Sequence, residues 1–115
     1  MIDWKLFHSY LGILSKDELI QIIGEALPVC TNLITGLKMA VAEKDYNKVD
    51  DLAHSLKYTC NQFGATEAGN LALQLELMGK KVQEDRMDEV FPKLVAACDE
   101  WTLELSEYGK RLAGG

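Results

Sequence analysis

His54 and Lys57 stand one helical turn apart in the run Ala53-His54-Ser55-Leu56-Lys57, and they are the pair in this chain best suited to chemistry. At about 100° per residue, Val49, Leu52, Ala53, Leu56, Cys60 and Phe63 share one face, and His54 points roughly 150° away from it. That direction is solvent. An exposed imidazole is largely unprotonated near neutral pH and attacks an electrophile through Nε2 without needing a cleft. If the electrophile is a phosphoryl group, the product adds roughly −1.5 to −2 charge to the surface. Lys57 then offers a positive charge on a flexible stem. Asp50 and Asp51 lie one turn before the histidine, Tyr58 one turn after it, and Asn47 and Asn61 extend the same outer strip. Bulky core residues are missing from that strip, so a partner can lie across it and supply most of the active site.

The elements that must position this pair are helices. Asp45 caps a helix from Tyr46 through Phe63, and Gly64 ends it in a left-handed turn. Before it, Ser15-Lys16-Asp17-Glu18 has the spacing of a capping box. Leu19, Ile20, Ile23, Leu27, Cys30, Ile34, Leu37 and Val41 then recur at helical intervals, with Pro28 expected to kink the helix. A short segment from Asp3 to Tyr10, ended by Gly12, brings Trp4 and Phe7 to close one end. Its His8 is expected to be a surface or a satisfied structural histidine, not a ligand. A third long helix starts at Thr66 or a neighbour and carries Ala68, Leu71, Ala72, Leu75, Met78 and Val82, with Gly79 weakening it. The charged stretch from Lys80 to Arg86 is expected to be a connection. The last helix is placed from Asp88 or Glu89, so that Pro92 falls in its first turn. Leu94, Ala97, Cys98, Trp101, Leu105 and Tyr108 form its inner stripe. The expected fold is all-α: one domain over residues 1–115, an up-and-down four-helix bundle over about 15–111 with a short N-terminal cap helix.

With 115 residues, 48% of them hydrophobic, and two prolines, the chain has enough apolar material for a core without metal or disulfides. A formal charge of −6 and the lack of a basic run argue against nucleic acid. No secretory leader and no continuous apolar span stand out, so a cytoplasmic protein with no membrane partner is expected. Cys30, Cys60 and Cys98 contain no CxxC pair and read as reduced core thiols. With His8 and His54 they lack close ligand spacing, so no metal and no cofactor of its own is expected. No Ser/His/Asp arrangement points to hydrolysis, and no glycine-rich loop points to ATP. The Gly114-Gly115 tail is expected to fray.

Ala53-His54-Ser55-Leu56-Lys57 followed by Gly64-Ala65 resembles the signature of the histidine-containing phosphotransfer (HPt) domain of bacterial and plant phosphorelays. The likeness extends from Asp45 to Lys80, including Leu75-Glu76, and with the bundle layout it covers about residues 15 to 110. It implies that His54 accepts a phosphoryl group from an aspartyl-phosphate on a receiver domain, or returns one, and that Lys57 neutralises its charge. As carboxylates in some members of that family do, Glu76 is expected to hydrogen-bond the non-reactive imidazole nitrogen and orient the ring, with Gln74 as another polar candidate on that helix. Asp50, Asp51, Tyr58 and Asn61 are the expected contacts for the partner, a response-regulator or hybrid-kinase receiver that brings its own Mg²⁺. The expected protein is a stand-alone, monomeric shuttle without ATP-dependent kinase activity. One departure is Tyr58, where such proteins usually have glycine. It leaves an alternative open, a degenerate receiver-binding module that is not phosphorylated.

Overall fold

The computed structural model describes residues 1–114 and contains five helices: α1 (Trp4–Leu11), α2 (Lys16–Ala42), α3 (Tyr46–Gln62), α4 (Thr66–Lys81) and α5 (Glu84–Gly114). No strand occurs among the described residues. Helices α2 to α5 form a closed square, in which each packs on its chain neighbours and α5 returns to α2. This is the up-and-down four-helix bundle with a short helix at its end. The bundle is 46 Å long and 22 by 19 Å across. α5 alone accounts for that length, since 31 residues at 1.5 Å each span about 46 Å.

Local chemistry fixes the ends of the site-bearing helices. The Ser15–Glu18 capping box forms in both directions and starts α2. The Asp45 side chain accepts from the Lys48 N–H and starts α3. Gly64 follows α3 with φ +76°, and its carbonyl accepts from the Asp3 N–H at 2.8 Å. A Cβ on Gly64 would lie 2.7 Å from the Asp3 carbonyl oxygen, so glycine here serves both the left-handed turn and the docking of α1. α1 seats Phe7 against Phe63 and Tyr108, while Trp4 packs on Tyr108 with ring centroids 4.9 Å apart. His8 is exposed at this end, with its ring across the edge of Phe7.

The connection between α4 and α5 is much shorter than the charged run from Lys80 to Arg86 implies. Val82 takes the left-handed conformation at φ 55°, and the N–H groups of Val82 and Gln83 both donate to the Met78 carbonyl. That tight reversal lets α5 begin at Glu84, with Glu84 and Asp85 beside its positive dipole end. Pro92 is therefore inside the helix, not in its first turn, and it faces solvent. Pro28 likewise lies on an exposed face of α2, which continues through it as one element. Gly114 completes α5, contrary to the expected fraying, while Gly115 lies outside the described residues.

The core contains Leu37, Leu56, Leu75, Leu94, Trp101 and Leu105, all fully buried. Cys30, Cys60 and Cys98, far apart in sequence, come together there from α2, α3 and α5 as free, buried thiols. Hydrogen bonding to Cys98 and burial push the thiols of Cys30 and Cys60 up, away from the reactive thiolate form. α2 is long and apolar enough by composition to cross a membrane. In the bundle its apolar stripe, including Leu19, Ile23, Cys30 and Leu37, packs into the core.

Candidate functional site

α3 and α4 are the most closely packed pair of helices, and the reason lies in small residues on α4. Gly69, Ala72, Glu76 and Gly79 recur about one turn apart on one face, and all are buried. A Cβ on Gly79 would stand 2.9 Å from the Asp50 backbone nitrogen and 3.0 Å from the Tyr46 carbonyl oxygen. A Cβ on Gly69 would meet the Asn61 carboxamide, which occupies the space left by the missing side chain. Gly79 does not simply weaken α4. Against the α3 backbone it lets α4 approach until the Glu76 carboxylate lies beneath His54.

His54 stands on the outer wall of α3 with 49% of its side chain exposed, as its helical angle requires. Its Nδ1 lies 2.9 Å from Glu76 Oε2. The Glu76 side chain is only 4% exposed, so it meets the ring from within the bundle. Lys57 sits 3.0 Å from Glu76 Oε1, in an ion pair too oblique to count as an aligned hydrogen bond. Lys80 donates to Oε2 at 3.4 Å. Burial alone would raise the Glu76 carboxyl, but Lys57, His54 and Lys80 outweigh it and hold it down at about 2. Glu76 is therefore an anion at neutral pH and only accepts hydrogen bonds, so Nδ1 carries the ring proton. In the neutral ring the lone pair is then on Nε2. That is the arrangement an imidazole nucleophile needs.

Tyr58 is 63% exposed and meets the His54 ring edge-on at 4.9 Å between centroids. It does not seal the ring, half of whose side chain remains open to solvent. The same Tyr58 ring receives the Lys57 ammonium 5.1 Å from its centre. Asp51 and Asn61 are exposed, whereas Asp50 is half-buried with its backbone beneath Gly79. Gln74 is not part of this cluster, since it lines the groove between α4 and α5 with Thr66, Lys93 and Glu100. Among the described residues, no group of three or more His, Cys, Asp or Glu side chains is placed to hold a metal ion.

Lys80 is the member of the cluster that sequence reasoning missed, because it fell within a run taken for a connection. Its spacing of four from Glu76 on one helix was the available signal.

An imidazole displayed on the wall of a four-helix bundle, with its tautomer fixed by a buried carboxylate and with lysines beside it, is built as an exposed nucleophile. The Hpt domain family matches residues 17–108, and the chain belongs to that family. Its role is therefore histidine phosphotransfer in two-component signalling, as a phosphoryl shuttle rather than a kinase. No curated protein and no solved structure matched the chain.

Proposed function

We propose that His54 is the phosphoacceptor of this protein and that it exchanges phosphoryl groups with the aspartates of response-regulator or hybrid-kinase receiver domains. The observation that carries this reading is the 2.9 Å contact between Nδ1 of an exposed imidazole and a buried, anionic Glu76. The Nε2 lone pair forms the P–N bond while the acyl P–O bond of the aspartyl-phosphate breaks, its electron pair remaining on the departing carboxylate. No proton has to move, because Nδ1 keeps its own. The ring becomes a cation, and Glu76 is already beside it as counter-ion. Lys57 and Lys80, both paired with Glu76, make the surroundings of the ring positive and so offset the charge of the new group.

The partner supplies the acidic pocket and its Mg²⁺, and it lies across Asp50, Asp51, Tyr58 and Asn61. The protein works in the cytoplasm as a monomer, a reading supported by the burial of its apolar stripes within one chain. Incubation with a phosphorylated cognate receiver should label His54 with an acid-labile, base-stable adduct. His54→Gln should fold and take no label. Equal labelling of that variant would remove the assignment.

A further inference from the structure

We infer that Lys80, not Lys57, is the cation that moves onto the phosphoryl group of phosphorylated His54, while Lys57 stays behind to hold Glu76. This rests on the phosphoacceptor reading above and divides the work between two lysines that share one carboxylate.

The two ammonium groups are held very differently. Lys57 has a side chain only 19% exposed, lies 3.0 Å from Glu76 Oε1 and packs over the Tyr58 ring. It is held between an anion and an aromatic face, and leaving would take the nearest cation from Oε1, an oxygen with no hydrogen-bond partner. Lys80 is 53% exposed and meets Oε2 at 3.4 Å, a long contact to an oxygen that His54 Nδ1 already satisfies at 2.9 Å. Its departure leaves no acceptor empty. The neighbouring Lys81 lines the groove on the other side of α4 with Gln74, so it does not compete for this place.

Tyr58 is what makes the lysines unequal. A small residue there would leave the Lys57 ammonium free of its aromatic contact. In this chain the ring occupies the space beside both His54 and Lys57. When a dianionic group appears on Nε2, the cation with the weakest hold and the most solvent around it is Lys80. It starts one carboxylate away from the ring, within the swing of a four-carbon stem.

The test uses the whole chain and phosphoramidate, a small donor whose P–N bond breaks with ammonia as leaving group, read by ³¹P NMR. Lys80→Gln should raise the second pKa of the phosphoryl group, because a nearby cation favours the dianion. It should also slow the loading of His54 from phosphoramidate by roughly 3–10-fold. Lys80→Arg should restore most of the loss. Lys57→Gln should instead disturb the ¹⁵N tautomer signature of unphosphorylated His54, which Lys80→Gln should leave in place. A phosphoryl pKa unmoved in Lys80→Gln but raised in Lys57→Gln would overturn the assignment. Absence of any phosphohistidine signal from the unsubstituted protein would overturn the phosphoacceptor reading and this inference together.

Discussion

A carboxyl group sealed between two helices ordinarily holds its proton, yet Glu76 is held at about 2 because three nitrogen donors converge on it. Its ordinary value is 4.5, so ionised Glu76 stabilises the fold fully above about pH 4.5. That contribution is lost as the pH falls from there towards 2. Urea unfolding followed from about pH 6 down to about pH 2.5 should show this loss, and Glu76→Gln should remove its share of the slope. Near neutral pH the same substitution should cost about 1–3 kcal/mol, since it leaves the half-buried Lys57 ammonium without its anion. It should also release the ring, so that ¹⁵N shifts of His54 report both tautomers where the unsubstituted protein reports one. An unchanged tautomer signal in Glu76→Gln would show that something other than this contact fixes the imidazole.

At the scale of the helix, the site is a property of the α3–α4 seam. Gly79→Ala puts a methyl group against the Asp50 backbone, which cannot step aside. The alanine gains about 1 kcal/mol in helix propensity, but overpacking a backbone contact costs about 1–3 kcal/mol, so a net loss of stability is expected. Phosphotransfer should fall as well, because separating the helices lifts Glu76 from His54. Gly69→Ala is the contrast, since its methyl meets the end of the Asn61 side chain, which can turn away. It should be close to neutral in chemical denaturation and leave transfer largely intact. The wall that presents His54 was legible in the sequence, because the angular separation of His54 from Leu56 and Cys60 follows from helix geometry alone. The seam was not. A glycine within a helical pattern signals poor propensity and close approach equally, and only a neighbouring backbone decides between them. The reversal at Val82 was hidden for a related reason, since a β-branched residue is among the last expected at positive φ.

Across the whole molecule, the site needs only two of the five helices, and the remainder keep those two in place. α1 closes the bundle through Phe7, Phe63, Trp4 and Tyr108, beyond the last turn of α3. Phe7→Ala should therefore cost roughly 3–5 kcal/mol in thermal or urea unfolding. At temperatures where the variant remains folded, its rate of His54 labelling should match that of the unsubstituted protein. A large change in rate without unfolding would mean that the end of the bundle and the site are coupled. The placement of Glu76 has a further consequence for signalling. In the phosphoacceptor role proposed for His54, an anion stationed under the ring before the reaction is still there afterwards, when the ring has become a cation, so it favours loading and opposes unloading. In that role, a substitution that weakens the carboxylate should tilt the equilibrium from phosphohistidine towards a receiver's phosphoaspartate without altering who binds whom.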